Sequence, residues 1–178
     1  EQAVRALAAE RFARIYASYL ARARDTADAI GRAGGHDVVT HDGLRERGFG
    51  RFEGHTFAEI EQQWPEDALR WRKRDPWFAP AEGGEHLVGF RERVVATAHD
   101  LASRHVGEQI AIVAHGGVLD ILYRAATGQE LDAPRTWALA NASINRLLWT
   151  PGGLTLVGWG DVRHLESPGD GPRDERTA

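Results

Sequence analysis

The residue best suited to catalysis or binding is His115, which lies between a short apolar run and two glycines. Residues 110–114 are rich in β-branched side chains and predict a strand buried on both faces. Apolar residues then recur at helical spacing and indicate a helix that begins just past the glycines: Val118, Ile121, Leu122 and Ala125. A strand that feeds a helix through a tight turn brings free backbone N–H groups to the positive end of the helix, which favours an anion such as phosphate. The alternative is a polar turn residue beside two glycines that serve only the backbone shape.

A second candidate is Arg22, in the first turn of a helix that is predicted to follow a strand. A guanidinium at this position can donate hydrogen bonds to two phosphate oxygens, while the positive end of the helix dipole also attracts the phosphate. Arg24 lies two positions further along and faces elsewhere, so only one of the two can serve the same site. Ser18 is well placed to cap the helix. The alternative interpretation of Arg22 is a solvated arginine on a surface helix.

Carboxylates supply a third set of candidates. Glu46 and Glu53 lie in a glycine-rich loop with aromatic neighbours. A carboxyl held against aromatic surface can have a raised pKa and act as a general acid. The alternative is a loop acid paired with Arg45 or Arg47. Glu82 and Glu85 open a long predicted helix, where negative charge is favoured in any case, so a structural role is expected there.

The elements that must position these residues alternate in the α/β manner. Helices are predicted over residues 2–12, 20–32, 56–63, 85–105 and just past Gly117; strands are predicted over residues 14–17, 38–39, 110–114, 143–149 and 154–159. The last two strands predict an antiparallel hairpin at the sheet edge.

The remaining segments predict surface features and the domain limits. Residues 43–83 are otherwise irregular, and connections of this length usually are lids or binding loops. Residues 64–78, with Trp71 and Trp77, are expected to form part of a pocket roof, although these tryptophans could simply bury the loop. Residues 1–166 are expected to form one domain, and residues 167–178, rich in Pro, Gly and charge, a disordered tail.

Composition excludes several classes of protein. The chain has 178 residues, no cysteine and a net charge of -4, which argues against disulfides, thiol nucleophiles, thiolate metal sites and nucleic acid as the main partner. No apolar run approaches a membrane span and no signal peptide opens the chain, so no membrane partner and a cytoplasmic location are expected. The eight histidines include no His-x-x-x-His pair, so no metal is expected. Residue 1 is not methionine, and we expect the chain to begin downstream of its gene's start.

Taken together, the motifs resemble the histidine phosphatase superfamily, also called the phosphoglycerate mutase-like family. They follow the family's order between about residues 2 and 165: Ser18-Tyr19-Leu20-Ala21-Arg22-Ala23 with Thr26-Ala27, Leu44-Arg45-Glu46 with Gly50 and Glu53-Gly54, Gly83-Gly84-Glu85, and Ala114-His115-Gly116-Gly117. The segments Asn141-Ala142-Ser143-Ile144 and Arg163-His164-Leu165 match the family's closing strands. The resemblance implies a three-layer αβα sandwich whose mostly parallel sheet carries an antiparallel edge strand. It also implies phosphoryl transfer through a phosphohistidine.

In such enzymes an Arg-His-Gly triplet ends the first strand, and its histidine attacks phosphorus. By resemblance, Arg22 is the second arginine and His115 the second histidine around the phosphoryl oxygens, where transition-state charge accumulates, and Gly116 joins them in binding substrate. Glu46 is implied as the general acid that protonates the leaving alcohol and then activates water. Ser18 is left with capping, and His86, which stands where the family often has serine, receives no role.

The sequence departs from the family at the nucleophile, because it contains no Arg-His-Gly triplet. Its arginine–histidine neighbours, Arg104-His105 and Arg163-His164, are not followed by glycine. We expect the family's first strand and its triplet to lie upstream of residue 1 or to have been omitted from the chain; a decayed relative is the remaining alternative. Since that strand lies in the middle of the family's sheet, its absence would expose apolar edges and invite pairing with another chain, a homodimer among the options.

Two function classes remain open on the sequence. The leading one is a cofactor-independent phosphatase that hydrolyses small-molecule phosphomonoesters, with its nucleophile upstream. A mutase is its close variant, but mutases of the family carry a longer insertion and a longer C-terminal lid than residues 54–83 and the short tail provide. The other class is a non-catalytic phosphate-ligand binder or partner-regulating pseudoenzyme, with half a pocket made of Arg22 and His115.

Overall fold

The structure is a computed structural model that describes residues 1–165. In chain order its helices and strands are α1 (Gln2–Leu7), β1 (Arg14–Ala17), α2 (Ala21–Gly34), β2 (Val38–Thr40), α3 (Phe57–Gln63), α4 (Pro65–Arg72), α5 (Leu87–Ser103), β3 (Ile110–Val113), α6 (Gly116–Thr127), β4 (Ile144–Thr150) and β5 (Gly153–Asp161). The predicted disordered tail lies outside the described residues. Within residues 1–165 no helix is both long and apolar enough to cross a membrane.

Three strands form a parallel sheet in the order β2-β1-β3. Side chains alternate along β1, so that Ile15 and Ala17 pack with Ala27 and Ile30 of α2 on one face. Tyr16 points to the other face and packs with Leu101 of α5 and with alternate residues of β3. Helix α2 thus covers one face of the sheet and α5 covers the other, which gives the three αβα layers that the resemblance implies.

The hairpin of β4 and β5 forms a second, two-stranded antiparallel sheet. Leu147 and Leu154 of this hairpin pack against a core built from α5 and α6, whose largest buried members include Phe90 and Ile121. The antiparallel pair is therefore confirmed. Within residues 1–165, however, it does not pair with the parallel sheet.

An opening separates the two sheets. Among the described residues β3 pairs only with β1, and β4 pairs only with β5, so each has one unpaired edge. Ala114, directly after β3, and Leu147 of β4 pack against the same core. Glu10 spans the opening at one end, because its carboxylate accepts hydrogen bonds from Gln109, just before β3, and from Nη1 of Arg146 on β4 (3.1 Å). All four residues of β3 are only half-buried, in contrast to the prediction of a strand buried on both faces, because one edge is open.

Several predicted boundaries need correction. The first helix ends at Leu7 rather than residue 12, and Arg163–Leu165 forms a 3-10 turn rather than a closing strand. Helix α4 lies within the segment that was expected to be irregular, although Pro65 in the first turn and basic residues in the last turn are typical helix signals. Ser18 does not cap α2, because the N-cap is Leu20; the Ser18 hydroxyl instead accepts a hydrogen bond from the Leu20 N–H (3.3 Å).

Candidate active site

The carboxylate of Glu46 is fixed at the beginning of α6. Its Oε2 accepts a hydrogen bond from the N–H of Gly117 (3.0 Å) and its Oε1 accepts one from the N–H of Arg47 (2.9 Å). Gly117 is the second residue of α6, where helical geometry leaves the N–H without an intrahelical acceptor. A Cβ at this position would collide with Oε1 of Glu46, so the close approach of the carboxylate requires glycine.

The immediate partners of Glu46 thus differ from those that the sequence suggests. Backbone N–H groups hold its carboxylate, rather than the side chains of Arg45 or Arg47. The aromatic neighbours of the loop, Phe49 and Phe52, instead pack with tryptophans of the segment 64–71. Glu53 accepts a hydrogen bond from the Phe49 N–H (3.3 Å) and so stabilises the turn of its own loop.

His115 lies directly before α6 as its N-cap residue. It is 5% exposed, and its Nε2 is buried without a hydrogen-bond partner among residues 1–165. Burial, together with the positive charge of Arg22, holds the pKa of His115 below its usual value, while the charge of Glu46 acts in the opposite direction. The environment of His115 therefore favours the neutral imidazole, and its Nε2 remains unused.

Arg22 and Gly116 complete the predicted set. Arg22 lies in the first turn of α2 and is exposed, and its guanidinium has no partner among the described residues. Gly116 begins α6 and is also exposed, and a Cβ there would meet nothing within 4 Å. Because β1 and β3 are parallel neighbours, the segments that follow them emerge at the same edge of the sheet. The structure thus brings all four predicted residues, Arg22, Glu46, His115 and Gly116, to one edge of the sheet.

The loop that carries Glu46 is clamped by a pair of residues that the sequence does not connect. Arg93 of α5 donates from Nε and Nη2 to the two carboxylate oxygens of Glu85 (2.9 and 2.6 Å). Its Nη1 donates to the carbonyls of Gly43 and Arg45 (2.9 and 3.0 Å). Burial of Glu85 opposes its ionisation, but the Arg93 contacts hold the pKa of this carboxyl below its usual value.

Glu85 therefore has a structural role, as expected, but through its ion pair with Arg93 rather than as a negative charge in the first turn of a helix. Helix α5 begins two residues later, and its N-cap is His86, whose Nδ1 accepts a hydrogen bond from the Gly89 N–H (2.9 Å). The Nδ1 atom caps the helix as a serine hydroxyl would, which explains how histidine can occupy a position where the family often has serine. Neither the His86 cap nor Arg93 was identified from the sequence, since nothing in the local pattern shows which carbonyls a distant arginine will meet.

The tryptophans of the predicted roof have different surroundings. The guanidinium of Arg47 lies 4.3 Å from the ring centroid of Trp71, next to the Glu46 loop. Trp77 is 69% exposed and lies beside His86. Of Trp71 and Trp77, it is therefore Trp71 that packs against the loop that carries the candidate acid.

The sequence model of the histidine phosphatase superfamily (branch 1) matches residues 1–162. The chain belongs to this superfamily. The fold confirms the assignment, since the solved structure of Bacillus stearothermophilus YhfR superimposes with a TM-score of 0.84 at 28% identity, over 93% of this chain and 82% of that one.

Two members of the superfamily from Arabidopsis thaliana are similar over most of the chain. Phosphoglycerate mutase-like protein 4 is 32% identical over 162 residues, which are 90% of this chain and 69% of that protein. A metal-independent phosphoserine phosphatase is 30% identical over 161 residues, which are 90% of this chain and 66% of that protein. The chain thus spans about two thirds of the length of these relatives.

Proposed function

We propose that this chain forms most of a metal-independent phosphatase that hydrolyses small-molecule phosphomonoesters through a phosphohistidine. The observation that carries the proposal is the fixed position of the Glu46 carboxylate at the N-terminus of α6, beside the buried imidazole of His115 and the unpaired guanidinium of Arg22. An acid, a neutral histidine and a free cation around one helix N-terminus suit a phosphate monoester and its leaving group. A phosphatase among the relatives, described as metal-independent, supports the reaction class.

The residues of the chain have distinct roles in the proposed reaction. Arg22, His115 and the N–H of Gly116 bind the phosphoryl oxygens and stabilise the charge that they gain in the transition state. A nucleophilic histidine forms a P–N bond as the ester P–O bond breaks, and Glu46 donates its proton to the departing alcohol oxygen. Glu46 then takes a proton from the water that attacks the phosphohistidine, so that inorganic phosphate leaves and the histidine is regenerated.

The nucleophile of this proposal comes from a strand that precedes residue 1, ends in Arg-His-Gly and inserts between β3 and β4. The unpaired edges of both strands support this location, because an added strand would satisfy the free N–H and C=O groups of both. A strand parallel to β3 would end at the same sheet edge as Val113, within reach of His115.

The test is to trap the intermediate on the full-length gene product. The protein is mixed with a ³²P-labelled phosphomonoester and quenched within the first turnover, and the label is examined for the acid lability and alkali stability of phosphohistidine. We expect a labelled protein whose label turns over to inorganic phosphate. Release of phosphate without labelled protein would contradict the covalent route. Phosphate binding without turnover would favour a non-catalytic binder, and transfer to a second alcohol in place of water would favour a mutase.

The cytoplasmic location, the homodimer and the lack of a nucleic-acid partner remain predictions.

A further inference from the structure

The backbone on both sides of Glu46 is bound by residues from outside its own loop. Nη1 of Arg93 donates to the carbonyl of Arg45, directly before Glu46 (3.0 Å). The N–H of Glu85 donates to the carbonyl of Gly48, two residues after Glu46 (2.9 Å). The carbonyls that flank the candidate acid are therefore held by the same pair, Glu85 and Arg93.

Glu85 joins the two halves of this clamp. Its carboxylate accepts two hydrogen bonds from Arg93, and its backbone carbonyl accepts one from Nε of Arg47 (2.7 Å). The residue thus contacts the backbone after Glu46 directly, and it orients the arginine that holds the backbone before Glu46. Loss of either partner should release one side of the acid.

Arginine is the side chain suited to position 93. Its guanidinium makes four hydrogen bonds in two directions, two to the Glu85 carboxylate and two to loop carbonyls. A lysine ammonium has three donors around one nitrogen and cannot serve both sets at once. The side chains of Arg93 and Glu85 are only 15% and 18% exposed, so water can replace little of what a lysine would lose.

The side chain of Glu46 depends on this support most when it carries a proton. Both of its hydrogen bonds come from backbone N–H groups, those of Arg47 and Gly117. Such donors bind an ionised carboxylate more strongly than a neutral carboxyl group. In the protonated form, which is the form that can act as an acid, the position of Glu46 therefore relies more on the clamped backbone.

We propose that Glu85 and Arg93 are positioning residues of the reaction, which hold protonated Glu46 within reach of the leaving oxygen. The inference rests on the proposed function, in which Glu46 is the general acid. Among the described residues, Arg93 makes no hydrogen bond to Arg22 or His115, which bind the phosphate in that proposal. Loss of the clamp should therefore slow proton transfer to the leaving group and leave phosphate binding intact.

The test is Arg93→Lys in the full-length gene product, assayed with an alkyl ester, propyl phosphate, and an aryl ester, 4-nitrophenyl phosphate. We compare kcat/KM, which reports the step in which the ester bond breaks. For propyl phosphate it should fall by about tenfold or more, because a displaced acid transfers its proton poorly. For 4-nitrophenyl phosphate it should fall much less, since that leaving group needs little protonation. The inhibition constant of inorganic phosphate should stay unchanged.

A second background separates positioning from packing. In Glu46→Gln no acid remains to be positioned, so adding Arg93→Lys should leave the ratio of the two kcat/KM values unchanged. A merely structural role of Arg93 would lower both esters by the same factor in both backgrounds. Arg104→Lys is the matched control, since Arg104 lies at the end of the same helix in an exposed pair with Asp100, and it should alter neither ester.

Equal losses for the two esters, or wild-type kinetics, in Arg93→Lys would overturn the inference. If this variant does not fold, Glu85→Gln serves the same comparison with a smaller expected change in the ratio. It removes the charge that orients Arg93 but keeps both backbone hydrogen bonds of residue 85 to the loop.

A readout without turnover keeps the two proposals apart. If the full-length protein hydrolyses neither ester, the proposed function fails, and the NMR signal of the Gly117 amide decides on the clamp alone. Because this N–H donates to Glu46, its signal should follow the ionisation of the carboxylate. Arg93→Lys should weaken that response, and an equal response in the variant and the wild-type protein would overturn the clamp.

Discussion

Arg22 and Arg93 both serve the region around Glu46, but they use their donors in opposite ways. All three nitrogens of the Arg93 guanidinium donate to Glu85 or to the Glu46 loop, and its side chain is only 15% exposed. Arg22 is exposed, and its guanidinium has no partner within residues 1–165. His115 resembles Arg22 in this respect, since its buried Nε2 is unused. The clamp is complete within the described residues, whereas the proposed phosphate site keeps its donors for a ligand.

The largest expected effect is that of Glu46→Gln, which removes the proposed acid at the centre of this contrast. For alkyl phosphates we expect kcat of the full-length gene product to fall by about 10²–10⁴-fold, because the leaving alcohol needs a proton. Aryl phosphates should lose much less, since an aryloxide leaves without full protonation. Steady-state kinetics with both ester types measures the difference, and an equal loss for the two would count against Glu46 as the acid.

Arg22→Ala should lower kcat by about 10²–10³-fold, because it removes a donor to the charge that develops on the phosphoryl oxygens. Unfolding in denaturant should show a stability within about 0.5 kcal/mol of the original, since the side chain has no partner to lose. Arg24→Ala is the matched control, two residues along the same helix and also exposed, and should leave kcat unchanged. Wild-type activity in Arg22→Ala would show that Arg22 is not part of the catalytic site.

Gly117→Ala tests the placement of the acid rather than its chemistry. The added methyl group would collide with Oε1 of Glu46 and displace the carboxylate, which should lower kcat by about 10²-fold. Gly158→Ala, on β5, is the control, because its methyl group would meet no atom within 4 Å. If the two variants had the same activity, the contact between Glu46 and α6 would not matter for catalysis.

Arg93→Met breaks the clamp and should act on stability first. We expect the free energy of unfolding to fall by about 1.5–3 kcal/mol, because the partly buried Glu85 carboxylate loses its two charged hydrogen bonds and keeps only Arg45, at 3.7 Å. Arg104→Met, which breaks an exposed pair with Asp100 one helical turn away, should cost no more than about 0.5 kcal/mol. Chemical denaturation of both variants measures the difference, and similar losses would show that Arg93 is only a surface residue.

The smallest effect concerns pH. Since folding lowers the pKa of His115, the unfolded chain binds a proton more readily, and stability falls as pH drops below about 6.5, the usual value for histidine. His115→Gln should weaken this decline in the pH profile of unfolding. In Arg22→Ala the pKa of His115, measured by NMR titration, should rise, because the positive charge that adds to the effect of burial has been removed. An unchanged pKa would place Arg22 away from the imidazole.

Much of the scaffold could be predicted because its signals are local. The bounds of β1, residues 14–17, were predicted as they are observed, and so was the antiparallel hairpin of β4 and β5. Helix α4 was missed, since its eight residues show no regular apolar stripe and are mostly exposed. The cap of α2 was predicted wrongly, because the exact residue at which a helix begins depends on a turn that the sequence does not specify.

The candidate site was predicted in its residue types but not in its contacts. Arg22, Glu46 and His115 carry recognisable motifs, and the structure brings them together. The contact of Glu46 with Gly117 joins residues 71 positions apart, and Arg93 reaches carbonyls 48 and 50 positions away. Such contacts depend on how α5 and α6 pack, and no local pattern carries that information.

The measurement that tests the central claim most directly is a titration of the full-length gene product with inorganic phosphate, followed by NMR of the His115 ring. If Arg22, Glu46 and His115 surround a phosphate, the His115 ring signals should shift and saturate, and Arg22→Ala should weaken binding by tenfold or more while Arg24→Ala does not. Phosphate binding that leaves the His115 signals unmoved, or that is equally tight in Arg22→Ala, would contradict the account.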